Sequence, residues 1–255
     1  MIPLCSVANP QQQSEGPMSF QAPVLKQIPG IRHEFSRIGA PLPANLFFCS
    51  QAHTGEVVEA STTLPSGIIR GDAVFTRTGR PIAVITADCL PLLISSEDAS
   101  WVAAVHAGWK GLHGGIIDNV LQHFAAKGIA AHQLRVAFGP SIKPCCYEVS
   151  PEFIDTLSAT QDHLWPEEQT PWSHERPAPQ LPPEIAPPPP TRPDSLWFDL
   201  SGYALHLLRA AGISDEQIEH CEHCTYCSSA TLASYRRRGH RGEEKSFQYS
   251  WIGRA

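Results

Sequence analysis

The sequence predicts a single domain that combines buried β-strands with amphipathic helices. Its 255 residues fit one large or two small domains and are enough to bury a substantial core. Short apolar runs of strand length recur between residues 81 and 138, each bounded by turn residues. Two longer segments, 116–128 and 200–211, carry apolar residues with a period near 3.6, which is typical of helices.

The strands are predicted from these apolar runs. Strand-like segments come first at Leu46–Ser50 and Ala73–Thr76. The run Pro81–Ile94 is predicted to be one buried strand, interrupted by an Asp-Cys pair. Trp101–His106 and Leu134–Phe138 follow as two further buried strands.

The helices are predicted from periodicity and from their end signals. A glycine-rich turn after residue 107 precedes a helix that begins at Ile116 and ends before Gly128. Pro151 suits the first turn of a helix that includes Glu152–Leu157. A last helix is expected over Leu200–Ala211.

Two segments are expected to lie outside the packed core. Residues 1–20 are polar and contain prolines, which indicates a flexible tail before a domain spanning 21–255. Residues from about 165 to 193 hold eleven of the 24 prolines, so we expect an extended surface insertion there. A linker between two domains is the alternative, but the chain after it shows only one clear helix.

Composition bounds the function classes. A net charge of −6 argues against a nucleic-acid partner, which needs a basic surface. No run approaches the ~20 apolar residues of a membrane span, and no signal peptide is predicted at Met1–Pro10. Eight cysteines in clusters are typical of reduced thiols, metal ligands or core residues. We therefore expect a cytoplasmic protein.

Three segments place a metal-binding side chain beside a turn. They carry His53, Cys89 and His106. A thiolate and two imidazoles suit Zn²⁺ or copper better than magnesium or calcium. Three protein ligands would leave a fourth position open, as in catalytic zinc sites. The alternative is that each of the three is an isolated buried residue.

Further polar residues near these segments have two interpretations each. Asp88 could orient a ligand histidine or accept a proton, or it could cap a turn. Lys110, in a glycine-rich turn, and the run Arg236–Arg238 could bind phosphate or could be solvated. The candidate catalytic residues are Asp88, Cys89 and His106, and the candidate substrate-binding residues are Lys110, Arg236 and Arg237.

A second cysteine run lies near the C-terminus. Cys221, Cys224 and Cys227 have the spacing of an iron–sulfur run that lacks its fourth cysteine. The run either binds a second metal with partners from elsewhere in the chain, or consists of buried and turn-lining thiols.

Five motifs resemble one protein family. In them the chain resembles the YfiH family, also called the laccase-domain, multicopper polyphenol oxidase or peptidoglycan editing factor family. The motifs occur in the family's order and cover most of residues 45–150 and 196–252. They are Gln51-Ala52-His53, TADCLPLL (Thr86–Leu93), HAGWKGL (His106–Leu112), GPSIKPCCYEV (Gly139–Val149) and CTYC with SYRRRG (Cys224–Gly239).

The resemblance implies a fold, a metal and an activity. It implies a single α+β domain with a mixed sheet, and one zinc ion held by His53, Cys89 and His106. It also implies phosphorolysis of adenosine, inosine, guanosine and methylthioadenosine, together with deamination of adenosine. The expected partners are therefore a nucleoside and phosphate, with no nucleic acid or membrane. Copper-dependent phenol oxidation and editing of cell-wall precursors are also attributed to relatives.

Three other functions are weighed against the phosphorylase. A multicopper laccase needs a trinuclear copper cluster with many histidines, and the chain contains no His-x-His pair. Cys89 and His106 could instead be a thiolate–imidazolium pair in a hydrolase acting on peptidoglycan precursors. A non-enzymatic, zinc-stabilised binding module would use the proline-rich segment as a docking peptide.

Overall fold

The structure, a computed structural model, describes residues 19–255. The predicted tail over residues 1–20 lies almost entirely outside this range. Its last residue, Phe20, is 2% exposed and forms an antiparallel bridge with Phe35. Phe20 therefore belongs to the folded domain, one residue before the predicted start.

The strands of the described part are short, as expected for chain segments that cross one domain. In chain order they are β1 (Ile31–Phe35), β2 (Val57–Glu59), β3 (Ala73–Thr76), β4 (Ile82–Thr86), β5 (Leu90–Ser96), β6 (Val102–Ala107), β7 (Leu134–Phe138), β8 (Glu148–Val149), β9 (Trp172–Ser173), β10 (Leu196–Phe198), β11 (Ile218–Glu219) and β12 (Gln248–Arg254).

The helices match the periodic segments of the sequence. The predicted helices at 116–128, 152–157 and 200–211 are confirmed, each to within a few residues at its ends. The α-helices are α1 (Pro23–Lys26), α2 (Trp109–His113), α3 (Ile116–Ala126), α4 (Pro151–Gln161), α5 (Leu200–Ala210) and α6 (Tyr235–Arg241).

A six-stranded mixed sheet forms the centre of the domain. Its strand order is β11-β7-β5-β6-β3-β2, with parallel pairs at the two outer edges and antiparallel pairs between them. Two small antiparallel sheets, β1-β12-β4 and β8-β10-β9, accompany it. The predicted α+β class with a mixed sheet is therefore confirmed.

Both faces of the six-stranded sheet are covered, which explains why all seven residues of β5 are buried. Leu92 and Ile94 belong to a core that also includes apolar residues of α3 and α5. Leu93, on the opposite face, packs in a second core with residues of β1, β4 and β12. Successive strand residues point to opposite faces, so a continuous apolar run is what a sheet buried on both sides requires.

The segment 81–94 is not the single strand that the sequence predicts. It forms β4 and β5, which belong to different sheets. The break falls at Asp88, whose φ of 84° lies in the left-handed region. The other expected strand, Leu46–Ser50, makes only isolated bridges, through Phe47 and Ser50.

The proline-rich segment is partly ordered by the fold. Residues 167–169 form a 3₁₀ turn, and β9 pairs with β10, so the first part is not a loop as predicted. Residues 174–193 contain no helix or strand. They cover the domain surface, where the Arg176 side chain donates to the carbonyl of Cys145 at 2.6 Å. Within residues 19–255, no helix has the length and apolar character that crossing a bilayer requires.

Candidate metal centre and adjoining cavity

The fold brings the three predicted metal-binding side chains together. Cys89 immediately precedes β5, whose residue Pro91 stands opposite His106 on β6. His53 reaches the same place from the loop before β2, and its ring lies 4.7 Å from that of His106, centroid to centroid. One ligand atom from each of the three residues lies within 4.8 Å of the others.

The geometry of the trio fits one metal ion. The Nε2 atom of His53 and the Sγ atom of Cys89 are 3.6 Å apart. A tetrahedral zinc ion with bonds of about 2.0 Å to nitrogen and about 2.3 Å to sulfur would separate these atoms by about 3.6 Å. No fourth His, Cys, Asp or Glu of the described residues joins this group. The donor set is therefore that of a metal site that keeps a position for water or a reactant.

The carboxylate that organises this site is Asp72, which the sequence analysis missed. Its oxygens accept hydrogen bonds from the His106 Nδ1 atom at 2.8 Å and from the His53 backbone N–H at 2.9 Å. They also accept from the Thr54 N–H and hydroxyl at 2.7 and 2.8 Å. Because Nδ1 of His106 donates to Asp72, its Nε2 is left as the ligand atom, a common arrangement for metal-binding histidines.

The charges of the site support one another. Burial would raise the pKa of Asp72, but hydrogen bonds from His106 and Thr54 outweigh it and hold that pKa below its usual value. Burial would also raise the pKa of the Cys89 thiol, yet attraction to His106 brings it to about 7. Burial opposes the charging of His106, but Cys89 and Asp72 raise its pKa to about 9. Cys89 and His106 thus each favour the charged form of the other.

The backbone at the site is closely constrained. His53 adopts a φ of 59°, in the left-handed region that a non-glycine residue rarely occupies. Gly108 leaves room for the ligands, since a Cβ atom there would lie 2.9 Å from the His53 ring and 3.0 Å from the Cys89 sulfur. Strain and close approach of this kind are characteristic of functional sites.

Asp88 does not contact the ligand histidines and instead caps a helix. One carboxylate oxygen accepts from the Thr225 hydroxyl and the other from the backbone N–H of Arg236 in α6, both at 2.6 Å. Burial raises the pKa of Asp88, and these two hydrogen bonds oppose the rise. Of the two interpretations offered by the sequence, the structure supports capping, although Asp88 also lines the cavity.

A cavity of about 830 Å³ opens beside the trio. Lys110 and Arg236, two of the predicted substrate-binding residues, line it. Arg238, the last arginine of the run considered for phosphate binding, lines it as well, and so does Tyr147, which the sequence analysis did not assign to the site. The Arg236 guanidinium lies 5.4 Å from the centre of the Tyr147 ring. The cavity thus joins the candidate metal centre, three cationic side chains and an aromatic wall.

Arg237 is placed elsewhere, which corrects its predicted role in substrate binding. Its side chain is 2% exposed, its Nε donates to the Glu243 carboxylate at 2.8 Å, and the Nη atoms donate to backbone carbonyls. The three arginines lie on the helix α6. A helical spacing turns Arg237 into the core while its neighbours Arg236 and Arg238 reach the cavity.

Fold and site together define an α+β domain with a three-ligand candidate metal centre at a cavity wall. Residues 31–250 match the family described as multi-copper polyphenol oxidoreductase laccase. The chain belongs to this family, and the predicted resemblance to the YfiH and laccase-domain proteins is confirmed. The family description and the trio of ligands both indicate a metal-binding enzyme.

Relatives with names of their own support the same family. The chain is 30% identical over 210 residues to the purine nucleoside phosphorylase YlmD of Geobacillus stearothermophilus, covering 78% of this chain and 70% of YlmD. It is 34% identical over 119 residues to the purine nucleoside phosphorylase YfiH of Escherichia coli, covering 46% and 47%. It is 40% identical over 104 residues to the purine nucleoside phosphorylase of Aquifex aeolicus, covering 40% of this chain and 48% of that protein. Apart from YlmD, these matches span about half the length of the relatives.

Solved structures show the same fold. The crystal structure of YlmD from Geobacillus stearothermophilus superposes with a TM-score of 0.76 at 23% identity, covering 95% of this chain and 98% of that one. A Bacillus licheniformis protein described as a hypothetical YfiH superposes with a TM-score of 0.74 at 19% identity, covering 94% and 98%.

Proposed function

We propose that this protein is a zinc-dependent purine nucleoside phosphorylase that also deaminates adenosine. Its substrates would be inorganic phosphate and adenosine, inosine, guanosine or methylthioadenosine. The observation that carries the proposal is the placement of the His53, Cys89 and His106 trio in one cavity with three cationic side chains. The phosphorylase names of the YlmD and YfiH relatives support the same reaction.

Phosphate would be held by the cations of the cavity. Lys110, Arg236 and Arg238 all line it. Among the described residues, the Arg236 guanidinium contacts only the Glu148 carbonyl and the Tyr147 ring. The Lys110 ammonium likewise contacts only the Trp109 ring. An arginine guanidinium can donate two parallel hydrogen bonds to two phosphate oxygens, while lysine supplies a compact positive charge. Their shared wall therefore suits an anion.

The nucleoside would occupy the aromatic part of the same cavity. Its volume lies within the range of small-molecule sites, about 300–1,000 Å³. Tyr147, Trp109 and Phe48 line it and offer faces on which a purine can stack. Burial raises the pKa of Tyr147, and the neighbouring Cys89 charge adds to the effect, so its hydroxyl stays protonated and can donate to the substrate.

The residues of the chain would divide the chemistry among them. A zinc ion, when bound, supplies Lewis acidity and a lowered pKa of water for both phosphorolysis and deamination. Asp72 keeps the proton of His106 on Nδ1 and so fixes the orientation of that ring. The cations hold phosphate, and the aromatic wall excludes water from the glycosidic bond.

Product analysis tests the proposal directly. Purified protein is incubated with inosine or adenosine, with and without phosphate, and the free base and ribose 1-phosphate are separated and quantified. We expect base release that requires phosphate and that is abolished by a chelator or by His106→Ala. Lys127→Ala is the matched control, because Lys127 makes a surface ion pair with Glu59 away from the cavity. An unchanged rate in His106→Ala would refute the role given to the metal centre.

A cysteine hydrolase acting on peptidoglycan precursors is a second candidate. It is favoured by the order Asp72, His106, Cys89, which places a carboxylate behind the imidazole and a thiolate in front of it. Iodoacetamide labelling of Cys89 with and without a chelator separates the two. Labelling that is blocked by metal and allowed by its removal supports a ligand role, while rapid labelling of the metal-loaded protein supports a nucleophile.

Copper-dependent phenol oxidation is the third candidate and is favoured by the family description. One thiolate and two imidazoles also suit copper. Oxygen uptake with phenols by copper-loaded protein, lost in His106→Ala, would support it.

A further inference from the structure

Four cysteines from two distant parts of the chain converge outside the candidate metal centre. Cys145 and Cys146 lie in the loop between β7 and β8, and Cys224 and Cys227 lie before α6. All four are buried, and their sulfur atoms lie within 4.8 Å of one another. Cys221, which the sequence grouped with the last two, is not a member.

We propose that Cys145, Cys146, Cys224 and Cys227 bind a second zinc ion, as a structural four-thiolate site. The Sγ separations are 3.7 Å for Cys145 and Cys146, 4.0 Å for Cys145 and Cys227, and 3.4 Å for Cys146 and Cys227. A tetrahedral zinc ion with bonds of about 2.3 Å holds its thiolates about 3.8 Å apart. The sulfurs of Cys145, Cys146 and Cys227 thus stand close to three corners of such a tetrahedron, and the Cys224 sulfur lies within 4.8 Å of each of them.

The same separations distinguish this site from its chemical alternatives. In a cubane iron–sulfur cluster each thiolate binds a different iron, so the four sulfurs must stand well apart. A disulfide would require one pair of sulfurs at about 2.05 Å, and all four are free thiols. A single tetrahedral ion uses all four side chains at the distances observed.

The backbone prepares both pairs of ligands. The N–H groups of Cys146 and Tyr147 donate to the Lys143 carbonyl at 2.9 and 3.0 Å, which closes a turn around the first pair. The Ser228 N–H donates to the Cys224 carbonyl at 3.1 Å and closes a turn around the second. This second turn has the C-x-x-C spacing common in structural zinc sites.

A buried lysine lies near the first pair of cysteines along the chain. A zinc ion with four thiolates carries net negative charge, which a buried site must balance. Lys143, two residues before Cys145, is 5% exposed and donates to the Ser201 hydroxyl at 2.9 Å. Across residues 19–255 it makes no salt bridge with a carboxylate. The loop that carries Cys145 and Cys146 therefore also carries a buried lysine.

The decisive measurement is the metal content of the wild-type chain. Protein purified under reducing conditions is analysed by inductively coupled plasma mass spectrometry and by native mass spectrometry. We expect two zinc ions per chain, of which His106→Ala loses one and Cys227→Ser loses the other. Cys221→Ala is the matched control, because it removes a buried cysteine outside the cluster and should keep both ions.

Cobalt substitution identifies the ligands in a chain that keeps all four cysteines of the cluster. In the His106→Ala background, cobalt should show the intense thiolate charge-transfer bands of a four-sulfur site, at one equivalent per chain. A wild-type chain that binds one zinc, loses it in His106→Ala and shows no such cobalt spectrum would overturn the proposal. A denatured mass lower by two hydrogens, which reports a disulfide among the four, would overturn it as well.

Discussion

Replacing Asp72 by asparagine should weaken metal binding although Asp72 is not itself a ligand. The Asp72 oxygens accept hydrogen bonds from the His106 ring, from the His53 backbone and from Thr54. Asparagine preserves the shape but presents an NH₂ group where one oxygen accepts. Because donors face both oxygens, either orientation of the amide sets one donor against another.

The magnitude follows from the bonds that are lost. A hydrogen bond to a charged group contributes about 1.5–3 kcal/mol, and asparagine loses at least one and leaves its donor opposed. Loss of a carboxylate behind a metal-binding histidine typically lowers metal affinity about 10–100-fold. We therefore expect Asp72→Asn to weaken zinc binding about 10–100-fold and to lower the free energy of unfolding by about 2–3 kcal/mol.

Competition with a chromophoric chelator at neutral pH measures this affinity. Asp98→Asn is the control, since Asp98 is an exposed aspartate that accepts from the Ser96 hydroxyl and the Ser100 N–H in the turn after β5. It should leave zinc affinity unchanged. Equal affinities of the wild type and Asp72→Asn would refute the role inferred for this carboxylate.

Three further predictions address titration, packing and the arginine run. Burial and the Lys26 charge lower the pKa of His33 from 6.5 to about 4, so its stabilising contribution is full above pH 6.5 and is lost as the pH falls toward 4. Between pH 7 and 4.5, the free energy of unfolding measured with urea should therefore fall by about 2.5 kcal/mol less in His33→Gln than in the wild type. An equal fall in the two proteins would contradict this. Gly108→Ala should weaken zinc binding about tenfold or more by crowding two ligands, whereas Gly239→Ala, with nothing within 4 Å of its added Cβ, should not. Arg237→Met should lower the free energy of unfolding by about 3 kcal/mol, because it leaves the Glu243 carboxylate and three backbone carbonyls without their hydrogen-bond donor. A loss of phosphate affinity with unchanged stability would show instead that Arg237 binds substrate.

The elements that the sequence predicted well are those whose signal is local. The strands at Ala73–Thr76 and Leu134–Phe138 and the helices at 116–128 and 200–211 have periodicity and end signals within a few residues of each other. A strand of a sheet that is covered on both faces has a continuous apolar sequence, so the burial of these strands could be predicted as well. The division of 81–94 between two sheets depends on the partner β12, more than 150 residues away, and has no local signal.

The candidate site shows the same division. His53, Cys89 and His106 were found because their side chains bind metals strongly and each stands beside a turn. Asp72 was missed because an aspartate before a strand has many ordinary uses. Only its distances to two ligand segments distinguish it.

The cysteines were grouped wrongly for a related reason. Equal spacing along the chain placed Cys221 with Cys224 and Cys227. Spacing in the sequence, however, indicates which side chains lie close together only within a single turn. The partners of Cys224 and Cys227 come from residues 145 and 146, across a bridge between Ser141 and Cys224. Nothing in the sequence near either pair could identify the other.

Asp88 connects the two candidate metal sites through the fold. It immediately precedes Cys89, and its carboxylate accepts from Thr225, which lies between Cys224 and Cys227, and from the N–H of Arg236 in α6. Helix α6 also carries Arg238 to the cavity, so the position of these cations depends on the turn that the four-cysteine cluster would hold. Losing the second metal should therefore weaken phosphate binding more than it weakens the first metal centre, because two of the three ligands, His53 and His106, are held by Asp72 and not by this turn. The test is a cysteine variant of the cluster, in which zinc affinity at the trio and phosphate affinity are both measured. An equal fall in the two affinities would contradict the inference that the cluster supports the cations of α6 more than it supports the trio.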